Sequence, residues 1–165
     1  MTDFYWRRYM KYQILILSFA VSVLSFDANA QVGGNCGPKD SEGNYTESCL
    51  WSYDETSHKL ILTGDGKMHD FWASQASNGI WYTNAPWRNL SGEIYDLEIG
   101  GNLTNIGACA IYNLYNLQNY SITAPIEELG GQSVTSLYSK EGFEIPATVK
   151  KIGREGLGYL SKNIV

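Results

Sequence analysis

Several things are scarce in this sequence of 165 residues, and each scarcity narrows what the chain does. Lysine and arginine number only 12 against 17 acidic residues, a net charge of −5, and the basic residues form no cluster beyond the amino-terminal stretch. A chain of that kind has nothing with which to neutralise a phosphate backbone, so nucleic acid is excluded as a partner. Histidines are two, His58 and His69, and cysteines are three, Cys36, Cys49 and Cys109, at no metal-ligand spacing. No nucleophile elbow, zinc motif, phosphate loop or calcium loop is present. No catalytic, cofactor-binding or metal-binding residues are therefore assigned, and the chain is expected not to be an enzyme.

Long apolar runs are absent too. The longest, "ILILSFAVSVL" from Ile14 to Leu24, is 11 residues, short of the roughly 20 that cross a bilayer as a helix. Arg7, Arg8 and Lys11 precede it and "ANA" (Ala28 to Ala30) follows, the charge, apolar and small-residue order of a secretory signal peptide. Residues 1–30 are read as that signal. A membrane anchor and a twin-arginine signal are the lesser alternatives, and Met10 is a second candidate start. Without residues 1–30 the chain carries nine basic and fifteen acidic residues, net −6. It is expected to be secreted or displayed at the cell surface, with no membrane span after cleavage.

An exported chain meets oxidising conditions, in which disulfides form and persist. Cys36 and Cys49 flank the hydrophilic loop "GPKDSEGNYTES", which turns readily, and are expected to pair. Cys109 is left over and reads as a small buried apolar residue.

What the chain does have is a repeat. "LTNIG" at 103–107 and "VKKIG" at 149–153 share one pattern, and half that step aligns three 23-residue units without a gap, 97–119, 120–142 and 143–165. Leu97/Tyr120/Phe143, Ile99/Ile122/Ile145, Leu103/Ile126/Val149, Ile106/Leu129/Ile152, Ile111/Val134/Leu157 and Leu114/Leu137/Leu160 are apolar throughout. Gly107/Gly130/Gly153 is invariant; Leu117/Lys140/Asn163 breaks the pattern.

A fixed period of 20 to 29 residues with Leu and Ile columns is the mark of leucine-rich repeats. About six buried side chains at ~2 kcal/mol each cannot offset ordering a whole unit at ~1.5 kcal/mol per residue, so one unit folds only by stacking on the next. Each unit reads as a strand, a turn at the glycine column, and a short helix or 3₁₀ segment suggested by the three-residue step from Ile111 to Leu114. The glycine implies either positive φ or close backbone approach. The expected fold class is a β-rich α/β solenoid, three leucine-rich repeats over 94–165 behind a β-rich amino-terminal cap over 31–93.

Within that cap, Trp51 and Tyr53 alternate with polar residues, "DETSH" supplies turn chemistry, and Leu60 and Leu62 alternate on the return. Leu50 to Thr63 is thus a β-hairpin. A step of 23 back from Ile99 and Ile106 lands on Ala76 and Thr83, so the repeat is not expected to extend upstream.

Taken together, "NCG", "WSYD", "KLILTGDGKM", "NAPW" and the "LTNIG" repeats resemble the BspA-type leucine-rich repeat proteins. The match rests on Gly64 to Met68, Pro86-Trp87 and Ile106-Gly107 with Ala110-Ile111, within residues 34–165. Ile111 stands where that pattern has Phe, and the middle unit reads Ser133-Val134. The resemblance implies a surface or secreted protein engaged in adhesion and protein binding. The array stops at Val165 without a polar closing segment, which suggests a truncated product or an end completed by a partner, self-association included.

Two surfaces are candidates for binding. Outward strand positions Asp96, Glu98, Asn119, Ser121, Gly142 and Glu144 would line the face with which solenoids engage an extracellular protein, host or matrix; an ordinary solvated face is the plain alternative. Trp72, Trp81, Tyr82 and Trp87, within "FWASQASNGIWYTNAPW", would offer aromatic platforms to a glycan, giving a carbohydrate-binding alternative, or else fill the cap core. Asp65, His69 and Asp70 in "DGKMHD" are the nearest approach to a catalytic or metal cluster, and read as part of a structural element.

Overall fold

The computed structural model describes residues 32–137 and 143–158. The signal segment, Gly142, and the columns at Lys140, Leu160 and Asn163 lie outside the described residues.

Alternation in "LWSYD" and "KLILT" produces the expected hairpin. Leu50–Asp54 and Lys59–Thr63 pair antiparallel from Leu50↔Thr63 to Asp54↔Lys59, and Val32–Asn35 adds antiparallel outside them. Tyr53, Leu60 and Leu62 are buried. From Lys59–Thr63 onward the pairing becomes parallel. Asp96–Ile99 lies beside it and Asn119–Ile122 follows, completing a five-stranded sheet.

Two further three-stranded parallel ladders accompany this sheet. One joins Asn105–Ile106, Glu128–Leu129 and Lys151–Ile152; the other joins Ile111–Tyr112, Val134–Thr135 and Leu157–Gly158. Every rung in them, and the Asp96–Asn119 rung of the sheet, advances by the 23-residue step seen in the sequence. Leu103, Ile106, Ile111, Leu114, Ile126, Leu129 and Val134 are wholly buried between the ladders, where each neighbouring turn of chain covers the last.

Three expectations need correction. The segment after the glycine column is strand, not helix: Ile111, Val134 and Leu157 pair in register, and among the described residues the helical content is a single 3₁₀ turn, Arg88–Leu90. β-Branched Ile and Val at the rung favour this choice. Left-handed corners bracket it, recurring one turn apart at Cys109 (φ 50°), Gln132 (φ 51°) and Glu155 (φ 54°), and at Asn113 (φ 63°) and Ser136 (φ 59°).

The parallel ladder also begins earlier than the 23-residue step indicates. Lys59↔Asp96 and Asp65↔Asn102 are parallel rungs, but their separation is 37, as in the Met68–Asn105 contact. This turn carries a 14-residue excess over the 23-residue step. The two-stranded ribbon Ala73–Gln75 and Trp81–Thr83 occupies it. Behind the ribbon the step returns to normal, since Tyr95 O accepts from Gln118 N at 2.8 Å.

Third, Ile145 does not join the row of Ile99 and Ile122. Those two pair directly, while Ile145 is half-buried and outside any strand. The reason is the next residue. Thr123 N donates to Ile99 O at 2.9 Å, and the position one step on is Pro146, which has no N–H to give Ile122. Phe143 still stacks on Tyr120, ring centroids 5.1 Å apart.

The invariant glycines have no positive φ; close approach explains them. A Cβ would lie 1.9 Å from His69 O at Gly107, 2.4 Å from Ala108 N at Gly130 and 2.8 Å from Gly131 N at Gly153.

Candidate functional site

The outward strand face is assembled by alternation along the five-stranded sheet. Leu97 and Ile99 point into the core, so Asp96 and Glu98 face out, half-buried, and Asn119 and Ser121 follow them, exposed. Cross-rung bonds order the face: Asn119 Nδ2 donates to Asp96 Oδ1 at 2.8 Å, and Lys59 Nζ lies 3.4 Å from Glu98 Oε2. Glu144 is exposed, with its N–H donating to Tyr120 Oη at 2.6 Å; it lies beyond the last strand of this sheet, so alternation does not fix its direction.

The sequence reading missed two members of this face, Lys59 and Ile61, which stand opposite Asp96 and Glu98. The alternation in "KLILT" carried the signal. The long turn that separates it from "DLEI" hid the pairing.

The aromatic segment divides three ways. Trp87 is removed from the candidate platforms: it is wholly buried and its Nε1 donates to Ala110 O at 3.1 Å. Trp81 and Gln75 pair across the ribbon, as do Ala73 and Thr83. Thr83 is buried and donates through Oγ1 to Cys109 O at 2.7 Å, so this face of the ribbon lies on the body. The same alternation puts Trp72, Ser74, Ile80, Tyr82 and Asn84 on the other face. Trp72 and Ile80 are 52% and 59% exposed there. Trp72 and Trp81, both exposed, therefore sit on opposite faces and cannot grip one ring together.

In the "DGKMHD" stretch the three candidate side chains have separate surroundings. Asp70 Oδ1 accepts from Ala108 N at 2.8 Å, Asp65 is exposed, and the His69 ring packs edge-on against Tyr45 and Phe71, both at 5.2 Å. Burial, aided by the nearby Lys39 ammonium and opposed by Asp70, holds the His69 imidazole below its usual pKa. No group of three or more potential ligands converges for a metal among the described residues.

Cys36 and Cys49 are disulfide-bonded with Cα atoms 4.8 Å apart, and Cys109 is a buried free thiol whose pKa burial raises. Among the described residues no helix is long and apolar enough to cross a membrane.

With this geometry in hand, comparison with solved structures finds a leucine-rich repeat protein from Eubacterium ventriosum ATCC 27560. It is similar at a TM-score of 0.55 and 16% identity, over 80% of this chain and 36% of that one. The chain thus spans little more than a third of that protein's length, and at this identity the likeness is one of fold. No protein-family model matches the sequence, and no curated protein matches it. The chain has the strand-rich fold of a bacterial leucine-rich repeat protein, with a disulfide at its amino-terminal side.

Proposed function

We propose that the chain is an exported, non-enzymatic binding module, a leucine-rich repeat solenoid of the BspA type that adheres to an extracellular protein through its outward strand face. The carrying observation is the ordered row Lys59, Asp96, Glu98, Asn119 and Ser121, tied across rungs by Asn119–Asp96 and Lys59–Glu98. A largely polar face whose side chains are tied across parallel rungs meets a partner with less side-chain entropy to lose than free side chains would. Export is supported by the signal-like residues 1–30 and by the disulfide, which persists in oxidising surroundings.

The test is a pull-down of extracellular matrix proteins and glycans with the chain from Gln31 onward, followed by affinity measurement with Glu98→Lys. Weakened binding at unchanged melting temperature supports the face as the site; unchanged affinity rejects it.

A second reading, carbohydrate binding by the segment 71–87, is favoured by the exposure of Trp72 on the free face of the ribbon. Sugar C–H groups suit such an aromatic surface, and Ser74 and Asn84 lie beside it to bond hydroxyls.

A further inference from the structure

From Phe71 to Gly92 the sequence contains no acidic residue, in a chain that is otherwise acidic, and the one cation in that stretch is Arg88. Among the described residues no carboxylate pairs in a salt bridge with Arg88, nor with Lys39 or Lys67, while Lys59, Lys150, Lys151 and Arg154 each have one. The Arg88 guanidinium is instead held in place by neutral groups. Its Cζ lies 5.9 Å from the centroid of the Tyr82 ring, within range of a cation–π contact, and its Nη1 donates to Asn84 Oδ1 at 3.3 Å.

Asn84 is itself fixed, because its Nδ2 donates to Trp72 O at 3.2 Å and to Ser74 Oγ at 3.0 Å. Trp72 and Asn84 come opposite each other in the register set by Ala73↔Thr83, and Tyr82 is the diagonal neighbour of Trp72 on the same face. Asn84 thus links the backbone of the exposed Trp72 to a guanidinium that has donors left over and, among the described residues, no carboxylate in a salt bridge with it.

Resting on the carbohydrate reading above, we infer that the free face of the ribbon takes an anionic glycan, a uronic-acid oligosaccharide, with a sugar ring on Trp72 and its carboxylate on Arg88. Tyr82, a candidate stacking platform by residue type, supports Arg88 rather than the sugar. Trp81 and Trp87 have no part in it. A planar guanidinium matches a carboxylate with two parallel bonds. An anion is also admitted here more readily than elsewhere on a chain of net charge −5.

The test is calorimetric titration of the full chain with short oligogalacturonates and with neutral malto-oligosaccharides of equal length. Oligogalacturonate binds, more weakly as salt is raised; Arg88→Gln and Trp72→Ala each weaken it by about tenfold or more, and Trp81→Ala leaves it unchanged. All three side chains are exposed, so folding is retained, and far-UV circular dichroism checks it. Equal binding of the neutral sugars, insensitive to Arg88→Gln, overturns the anionic assignment and leaves the carbohydrate reading standing. Failure of both sugars to bind overturns the two together. Oligogalacturonate binding that ignores Trp72→Ala and Arg88→Gln overturns this site.

Discussion

The side-chain amide of Asn105 closes two hydrogen bonds on the backbone of Met68, accepting from its N–H at 2.8 Å through Oδ1 and donating to its C=O at 3.1 Å through Nδ2. An amide side chain here does the work of a strand neighbour, joining the 37-residue turn to the next one. Asn105 is 6% exposed, so water cannot replace it. Asn105→Ala is expected to leave a buried donor and acceptor unpaired and to cost about 2 to 4 kcal/mol. Urea unfolding checks it, with Asn119→Ala as the comparison: the Asn119–Asp96 bond is exposed, and its loss should cost no more than about 0.5 kcal/mol.

How far the sequence revealed this arrangement depended on whether a feature repeats. The rungs Ile106/Leu129/Ile152 and Ile111/Val134/Leu157 were legible because stacking turn on turn keeps the same columns apolar, even in the last described turn, where Ile152 is exposed. The hairpin at Leu50 to Thr63 was legible because its alternation is local. The turn from Lys59 was not, since residues inserted as the ribbon break the period on which the alignment relied. One column of left-handed corners was also hidden. Cys109, Gln132 and Glu155 occupy equivalent positions, and none is a residue type that announces positive φ. On the candidate surfaces, composition located Trp72 and Trp81 but could not show that the ribbon turns them to opposite faces.

The glycine column offers a graded test of close packing. At Gly107 the added Cβ would meet a backbone oxygen, His69 O, at 1.9 Å, whereas at Gly131 the nearest atom, Arg154 O, is 3.4 Å away. Backbone cannot yield as a side chain can. Gly107→Ala is expected to destabilise by about 3 kcal/mol or more, and Gly131→Ala by less than about 1 kcal/mol. Thermal melts of the two variants side by side decide it; equal losses would mean that approach distance is not what keeps Gly107.

The Cys36–Cys49 bridge closes a loop with a sequence separation of 13. Backbone bonds reinforce it, Cys36 N donating to Cys49 O at 2.6 Å and His69 N to Cys36 O at 2.8 Å, so the loop is fastened to the first parallel turn. Replacing both cysteines by alanine is expected to lower stability by about 3 kcal/mol. Dithiothreitol should do the same to the parent chain and nothing further to the double variant, as measured by guanidinium unfolding.

His69 supplies the pH dependence. Its imidazole is packed edge-on between Tyr45 and Phe71, and burial, with Lys39 adding to it and Asp70 opposing, lowers its pKa from the ordinary 6.5. The unfolded chain therefore binds the proton more readily than the folded one, and stability rises with pH across the interval between the two values. The contribution is fully present above pH 6.5 and is lost as the pH falls from there through the folded-state pKa. His69→Phe keeps an aromatic edge for Tyr45 and Phe71 but removes the proton site. Its unfolding free energy should vary less than that of the parent chain between about pH 7 and pH 5; parallel pH profiles for the two would assign the dependence to other groups.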